Sequence, residues 1–392
     1  MIDSAKNIWD PWRRHLESNP GGEAIIHWVS EGAHYRWTWD KLIAAAGRFG
    51  RRMRAEGVRA GDICALIIRH QRDFYPVYLG TSLVGAVPSI LAYPNPRLHP
   101  EKFRQGLEGM ARHSGLDWIF TERALEDTIR PLVRKDRTTI RGILLPLEWD
   151  EDEMDRISSL SALWNEREVP PDAPCLLQHS SGTTGLQKAV VLSHRAVLEH
   201  LRLYGESIQA NGKDKIVSWL PLYHDMGLIA AFHLSLAWGV PLVQMDPFEW
   251  VQAPAMFLEA ISRERGTLAW LPNFAYNIMA DRVHEEDLSG VRLESFRMVI
   301  NCSEPVRQES HEKFLRRFHP YGLKPEALAA CYAMAETTFA PTQTEPGKTA
   351  RSVRVSREVL AMGRFEPVMS DLQTGSKLCV SSGKSIQGCE LK

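Results

Sequence analysis

Short, continuously apolar runs alternate with helical patterns along most of this chain, and this alternation limits the folds open to it. Residues 63–68 (Ile-Cys-Ala-Leu-Ile-Ile) form one such run, as expected of a strand covered on both faces. A helical segment over 73–84 and a second apolar run over 86–91 follow. Because strands joined through a helix pair in parallel, this β-α-β unit predicts a parallel sheet.

A second series of the same kind begins after about residue 170. Its predicted strands are 216–220, 240–245, 267–270, 298–301 and 328–332, and its predicted helices are 226–238, 254–263, 274–283 and 307–318. The predicted fold class is therefore α/β, with two doubly wound, mostly parallel subdomains over residues 1–170 and 171–342. The acidic, Ser- and Pro-containing stretch 148–174 indicates the connection between them. Short, glycine-punctuated segments over 343–392 predict the start of a small β-barrel that is incomplete at residue 392.

The composition is that of an ordinary globular protein. Hydrophobic residues make up 44% of the 392 residues and charged residues 24%, which excludes disordered and collagen-like chains. The 47 Lys and Arg residues nearly balance the 48 Asp and Glu residues, so the bulk charge does not attract nucleic acid. The six cysteines lack the spacing of a zinc site. We therefore expect reduced thiols and no nucleic-acid partner.

Two features bear on localisation. The first residues lack the apolar core of a signal peptide. Residues 226–245 carry no Asp, Glu, Lys or Arg and approach the length of a membrane span, but Gly239 and Pro241 interrupt them. We interpret the stretch as a buried helix, a turn and a buried strand. The prediction is a cytoplasmic protein without a membrane span.

The most informative segment is the run 180–188, Ser-Ser-Gly-Thr-Thr-Gly-Leu-Gln-Lys. Strand-like residues precede it over 175–178 and follow it over 189–192, so the run should be the turn of a hairpin. Gly182 and Gly185 let the backbone turn tightly and bring N–H groups close to a ligand, while hydroxyls add donors and Lys188 adds charge. This chemistry suits a polyanion such as a triphosphate. The run is not a Walker A motif, which opens a helix, and a polar turn that binds nothing stays an alternative.

The run 180–188 resembles the phosphate loop of the adenylate-forming superfamily, which includes acyl-CoA synthetases, fatty acyl-AMP ligases, luciferases and nonribosomal peptide adenylation domains. Four further segments are similar to motifs of that superfamily, in the same order and at similar spacing. They are 219–228 (Trp-Leu-Pro-Leu-Tyr-His-Asp-Met-Gly-Leu), 271–276 (Leu-Pro-Asn-Phe-Ala-Tyr), 301–305 (Asn-Cys-Ser-Glu-Pro) and 332–336 (Tyr-Ala-Met-Ala-Glu). The first of these four has the form typical of acyl-AMP ligases and related acyl-CoA synthetases.

The resemblance implies acyl adenylation, in which a carboxylate oxygen attacks the α-phosphorus of ATP and pyrophosphate leaves. A carboxylic acid is already ionised at pH 7, so the step needs positioning and charge neutralisation rather than a general base. The implied cofactors are ATP and Mg²⁺, with CoA or a carrier-protein phosphopantetheine as the undecided thiol acceptor. The implied partners are a carboxylic acid, fatty or polyketide-like, and an acyl carrier protein as one option for the acceptor.

The resemblance also assigns roles to individual residues. The phosphates would be held by Ser180, Ser181, Gly182, Thr183, Thr184 and Gly185, with Lys188 adding charge. The base would be held by Ser303, Glu304, Pro305, Cys331, Tyr332, Ala333 and Met334, with Tyr332 stacking on adenine. Mg²⁺ would be held by Glu336 and Thr184, and the residues implied in catalysis are His224, Lys188 and Glu336.

His224 would lie at the carboxylate end of an apolar acyl pocket. Candidates for that pocket are Met226, Leu228, Phe274, Tyr276 and Met334. Each of these roles has an ordinary alternative: a structural histidine at 224, a core tyrosine at 332, a helix-start glutamate at 336, and plain core for the apolar side chains.

Past residue 380 the chain resembles the strands just before the superfamily's later motifs, and there it ends. We therefore expect the C-terminal domain of the superfamily to be missing and this chain alone to turn over poorly. A non-catalytic module of the same fold, which binds nucleotide or acyl-adenylate, is the alternative function. A kinase-like fold is disfavoured because a strand follows the phosphate loop.

Overall fold

The computed structural model describes residues 2, 4–94, 100–133, 138–150, 169–179, 189–368 and 375–391. Its strands form two large sheets and one hairpin. In spatial order, the first sheet contains β6 (Gly142–Leu144), β5 (Trp118–Thr121), β3 (Ile63–Ile67), β4 (Val87–Ile90), β7 (Pro174–His179) and β8 (Ala189–Ser193). In spatial order, the second sheet contains β17 (Lys384–Ser385), β14 (Thr342–Gln343), β13 (Leu328–Tyr332), β12 (Met298–Asn301), β11 (Leu268–Leu271), β9 (Ile216–Ser218), β10 (Leu242–Met245), β1 (Glu23–Trp28) and β2 (Tyr35–Thr38). The hairpin pairs β15 (Ser352–Ser356) with β16 (Ser376–Val380).

Both large sheets are mostly parallel, which confirms the predicted fold class. In the first sheet, β3 is parallel to β4 and β5, and β7 is parallel to β4. In the second sheet, the strands from β13 through β12, β11, β9 and β10 to β1 run parallel. Antiparallel pairs lie toward the edges, as between β7 and β8 or β13 and β14. Every residue of β4, β10, β11 and β12 is buried, which explains their mostly apolar sequences.

The helices lie between the strands in sequence, as the alternation predicts. The α-helices are α1 (Trp9–Ser18), α2 (Trp39–Ala55), α3 (Phe74–Leu83), α4 (Pro100–Ser114), α5 (Arg123–Ile129), α6 (His194–Ser207), α7 (Leu234–Trp238), α8 (Pro247–Gln252), α9 (Ala255–Glu264), α10 (Asn273–Arg282), α11 (Gln308–Phe318) and α12 (Arg357–Ala361). A π-helix over Met226–His233 runs directly into α7. The strands at 298–301 and 328–332 have their predicted bounds.

The two sheets exchange strands across residue 170. The early strands β1 and β2 join the second sheet through the pairing of β1 with β10. The hairpin β7–β8, which follows residue 170, completes the first sheet. The predicted boundary at residue 170 therefore does not separate the strands of the two sheets. The division into domains 1–170, 171–342 and 343–392 stays a prediction.

Residues 226–245 form a helix, a turn and a strand inside the protein, as predicted. The π-helix is wholly buried, and α7 ends at Trp238. The next residue, Gly239, caps it with a φ of +68°, in the left-handed region that favours glycine. Strand β10 follows and is buried along its length. Across the described ranges, the structure contains no helix long and apolar enough to cross a membrane.

One large hydrophobic cluster joins the two sheets. The Tyr78 hydroxyl of α3 lies 2.8 Å from His233 Nε2 of the π-helix, inside the protein. Burial lowers the pKa of His233 to about 3, so this ring is neutral at physiological pH. The ring of Phe232 packs against both Tyr75 and Tyr78. These contacts hold the two sheets in one fixed arrangement, so that motifs from different strands can meet.

Candidate functional site

Two adjacent parallel strands bring most of the predicted base-binding residues to one edge of the second sheet. β12 ends at Asn301 and β13 ends at Tyr332. Open α/β sheets bind their ligands outside the carboxyl ends of their strands. The segments there line one cavity of about 750 Å³. The predicted residues among its lining are Ser303, Glu304, Pro305, Cys331, Tyr332 and Ala333.

Met334 lies outside the lining of this cavity. Its backbone N–H donates to the carbonyl of Phe339 at 2.8 Å, which closes a turn around Glu336. Met334 therefore shapes the segment that carries Glu336 rather than the cavity wall.

The side chain of Tyr332 opens onto the cavity and does not belong to the core. The residue is 53% exposed, and its backbone N–H donates to the Thr342 hydroxyl at 3.1 Å. That hydroxyl in turn donates to the carbonyl of Ser382 at 2.8 Å. An exposed aromatic ring on an anchored backbone is suited to stack against a flat, π-rich group such as a nucleobase.

Ser303 bends the segment after β12 back toward the second motif. Its φ of +71° lies in the left-handed region, which non-glycine residues rarely adopt and which occurs most often at functional sites. The Ser303 hydroxyl lies 3.5 Å from Met226 Sδ. The structure thus joins the segment 301–305 to the segment 219–228, although 77 positions separate these two residues.

The charges of Asp225 and Glu336 interact. Burial raises the pKa of Asp225, and the negative charge of Glu336 raises it further, although the hydrogen bond from the Met226 backbone opposes this shift. That hydrogen bond is 2.8 Å long and ends on Asp225 Oδ1. Glu336 itself is exposed, in a single 3₁₀ turn over Ala335–Thr337. The segments 219–228 and 332–336 therefore each carry a carboxylate, and the two negative charges interact.

His224 lies beside this pair at the surface of the site. Its backbone N–H donates to the Pro221 carbonyl at 3.2 Å, and its carbonyl accepts from Leu228 N–H at 2.8 Å. Its ring lies 4.9 Å from that of Tyr223. Desolvation by surrounding protein lowers its pKa, so at neutral pH the imidazole is available as an uncharged hydrogen-bonding group.

The carboxylates of Asp225 and Glu336 suit a divalent cation. Mg²⁺ prefers oxygen ligands, and a nearby cation would relieve the repulsion from Glu336 that adds to the effect of burial on the pKa of Asp225. Among the residues the structure describes, no group of three or more His, Cys, Asp or Glu side chains forms a complete metal site. Two carboxylates are the usual protein share of a magnesium site, which commonly keeps water and phosphate ligands.

The phosphate-loop residues Ser180, Ser181, Gly182, Thr183, Thr184, Gly185 and Lys188 lie outside the described residues. Their flanking strands are described, and they form the predicted hairpin: β7 and β8 pair antiparallel up to His179 and Ala189. The Gln178 amide donates to the carbonyl of Tyr223 at 3.2 Å. The strand that leads into the loop is therefore hydrogen-bonded to the residue before His224.

His179, directly before the loop, is a buried polar residue that the sequence analysis did not single out. Its two ring nitrogens lie 3.0 Å from the Ser89 hydroxyl and 3.1 Å from the Ser114 hydroxyl. Burial lowers its pKa to about 4, so the neutral ring accepts one of these hydrogen bonds and donates the other. The only signal in the sequence is a polar residue at the end of an apolar strand.

The candidates for the acyl pocket divide into two groups. Leu228 and Tyr276 are almost completely buried, which favours the plain-core alternative for both, and Met226 is 5% exposed. Phe274 is 44% exposed and lies beside the parallel rings of Trp219 and Trp250, which stack at 3.7 Å. This aromatic group borders the site, and the sequence analysis assigned no role to either tryptophan.

Comparisons with known proteins bear on the family and the fold of this chain. Residues 12–360 match the model of the AMP-binding enzyme family. The long-chain-fatty-acid–AMP ligase FadD26 of Mycobacterium marinum is 28% identical over 87% of this chain and 57% of its own length. The medium-chain-fatty-acid–[acyl-carrier-protein] ligase JamA of Moorena producens is 31% identical over 60% of this chain and 40% of its own length.

A solved structure shows the same architecture. The fatty acyl-adenylate ligase of L. pneumophila, crystallised with acyl adenylate and pyrophosphate, superimposes with a TM-score of 0.86 at 25% identity, over 98% of this chain and 64% of that one. This chain spans about half the length of the curated relatives it matches.

Proposed function

This chain belongs to the AMP-binding enzyme family, and from that premise we propose that it supplies the nucleotide-binding part of an enzyme that converts a carboxylic acid into an acyl-adenylate. The carboxylate attacks the α-phosphorus of ATP and pyrophosphate leaves. The observation that supports the proposal is the convergence of three motifs, marked by the 3.5 Å contact of Ser303 with Met226 and by the neighbouring charges of Asp225 and Glu336.

Each group at the site has a role in this reaction. Tyr332 stacks on the adenine, and the Ser303–Pro305 segment meets its edge. The loop 180–188 holds the β- and γ-phosphates, with Lys188 adding positive charge. His224 donates a hydrogen bond to the substrate carboxylate and orients it for attack.

Mg²⁺ is expected with ATP, and Glu336 would hold it together with Asp225 and Thr184. The ion supplies positive charge to the phosphate oxygens when bound. Glu336 and Asp225 then contribute carboxylate oxygens as ligands. We propose Asp225 beside the two ligands that the family resemblance implies, because its charge interacts with that of Glu336.

The proposed substrate is a fatty or related apolar acid, and the acyl group then passes to a thiol. Two matching proteins are named for fatty-acid ligation, one of them onto an acyl carrier protein. The exposed ring of Phe274 beside Trp219 and Trp250 offers an apolar surface next to Glu304, which accepts the Phe274 backbone N–H at 2.6 Å. CoA and a carrier-protein phosphopantetheine are both thiols, and the assay below separates them.

ATP–pyrophosphate exchange tests the adenylation step. Purified residues 1–392 and the complete product of the gene are each incubated with ATP, Mg²⁺, labelled pyrophosphate and a panel of carboxylic acids, and products are identified by mass spectrometry with CoA or a carrier protein added. We expect acid-dependent exchange from the complete product and poor turnover from residues 1–392. Glu336→Gln should abolish the exchange, whereas Glu326→Gln, an equal change of charge at an exposed position near the start of β13, should not.

AMP binding without exchange by any acid would refute the enzyme and favour the non-catalytic binding module. Absence of both binding and exchange would refute the nucleotide site itself.

A further inference from the structure

The segment 302–306 at the nucleotide cavity is held at both of its ends by one oxygen atom. Asn273, the first residue of α10, is buried, and its Oδ1 accepts the backbone N–H of Arg307 at 3.0 Å. The same Oδ1 accepts from Asn301 Nδ2 at 3.1 Å. Asn301 is the last residue before the segment and Arg307 the first after it. One side chain therefore spans the base of the whole loop.

The direction of every hydrogen bond in this group follows from the backbone. The N–H of Arg307 can only donate, so the Asn273 atom that it meets must be the carbonyl oxygen. Asn301 must then present its NH₂ group to that oxygen, and His311 Nε2, 3.0 Å from the same NH₂, must accept. His311 is consequently neutral with its proton on Nδ1, in agreement with burial lowering its pKa to about 4.

A third contact ties the middle of the loop to the same helix end. The backbone N–H of Phe274 donates to Glu304 Oε1 at 2.6 Å. The first two residues of α10 thus contact the loop at its start, its centre and its end. Ser303 and Pro305, which line the cavity, lie between these points.

We infer that Asn273 is a positioning residue for nucleotide recognition: by bonding to both ends of the Cys302–Val306 segment, it sets the distance at which that segment meets the edge of the purine. Asn273 itself does not touch the ligand. This inference rests on the proposed function, since it assumes that a purine nucleotide occupies the cavity.

The chain offers a matched control on the same helix. Asn273 and Asn277 both donate their side-chain amides to the Ser310 hydroxyl, each at 3.0 Å. Within the described residues, the Asn277 side chain donates to Ser310 and forms no hydrogen bond with the loop, so Asn277→Ala loses a hydrogen bond of the same kind without releasing the loop. Asn273→Asp keeps an oxygen that can accept hydrogen bonds from Asn301 and Arg307, and it serves as the conservative variant.

Isothermal titration with AMP and with GMP, on purified residues 1–392, measures the effect on recognition. We expect Asn273→Ala to weaken AMP binding about tenfold and to reduce the preference for AMP over GMP, because the loop no longer meets the purine edge at a fixed distance. Asn277→Ala should stay within about twofold of the parent chain, and Asn273→Asp should recover most of the affinity. An unchanged AMP/GMP preference in Asn273→Ala, or an equal loss in Asn277→Ala, would overturn the inference.

Hydrogen exchange of the ligand-free chain separates this inference from the proposed function. The Arg307 amide should exchange faster in Asn273→Ala than in Asn277→Ala, whether or not the chain binds AMP. If the parent chain binds neither nucleotide, the proposed function fails. Hydrogen exchange of the Arg307 amide still tests whether Asn273 holds the loop. Equal exchange of Arg307 in both variants would show that Asn273 does not hold the loop.

Discussion

Replacing Gly227 by alanine should destabilise this protein, although alanine favours helices more than glycine does. Gly227 lies in the first turn of the π-helix, against the carbonyl of Pro221. A Cβ atom there would overlap the Pro221 carbonyl oxygen and lie 3.0 Å from its carbonyl carbon. Both neighbours are backbone atoms and cannot turn away as a flexible side chain can.

The size of the effect follows from two opposing contributions. Forcing a methyl group against a rigid neighbour in a packed interior costs about 3 kcal/mol. Replacing glycine by alanine at a helical position stabilises the folded state by about 1 kcal/mol. The net expectation is a loss of about 2 kcal/mol in the free energy of unfolding. The displaced Pro221 carbonyl also accepts the backbone N–H of His224, so His224 should shift as well.

Gly106 in α4 provides the control, because a Cβ atom there would meet no atom within 4 Å. Gly106→Ala should therefore raise stability by about 0.5–1 kcal/mol. Urea-induced unfolding followed by tryptophan fluorescence measures both variants against the parent chain. A Gly227→Ala midpoint equal to or above that of the parent would refute the reasoning.

Tyr332→Ala should weaken AMP binding by about 1–3 kcal/mol and Tyr332→Phe should not, since the lost contribution is stacking; titration calorimetry decides, and equal affinities of the two variants would contradict the assignment. Arg297→Met should cost about 3 kcal/mol of stability, because it strips two 2.7 Å hydrogen bonds from the buried carboxylate of Asp214; a loss under about 1 kcal/mol in urea unfolding would count against it. Stability should also fall as the pH drops from 6.5 to 5. Burial lowers the pKa of His179 to about 4 and of His233 to about 3, below the 6.5 of an unfolded histidine, so the unfolded chain takes up protons first. Each ring should contribute a loss of about 2 kcal/mol over that interval, and unfolding midpoints that do not change with pH would exclude this.

The sequence predicts the local elements of this fold well because a strand that is buried on both faces has a run of apolar residues in the sequence. β12 and β13 are covered on both sides of the sheet, so their apolar runs begin and end where the strands do. The π-helix over Met226–His233 could not be distinguished from an α-helix. All eight of its residues are buried, so no alternation of apolar and polar residues indicates the number of residues per turn.

The pairing of strands far apart in the chain could not be predicted. The assignment of β1 to the second sheet depends on its fit beside β10, which no local pattern records. The site shows the same division. The residues of the quoted motifs could be named from their order, and the structure brings six of the seven predicted base-binding residues to one cavity. Asn273 was quoted within a motif, yet the positioning role inferred for it depends on the side chain of Asn301 and the backbone N–H of Arg307, about thirty residues away.

The exchange of strands between the two sheets has a consequence for any attempt to divide this protein. Cutting the chain at residue 170 would leave β10 on one fragment with an unprotected edge, while its natural neighbour β1 stayed on the other. β4 would in turn lose β7. Neither fragment should fold on its own, and the two should regain the native fold only by associating with each other. Engineered fusions or split reporters should place their junctions elsewhere.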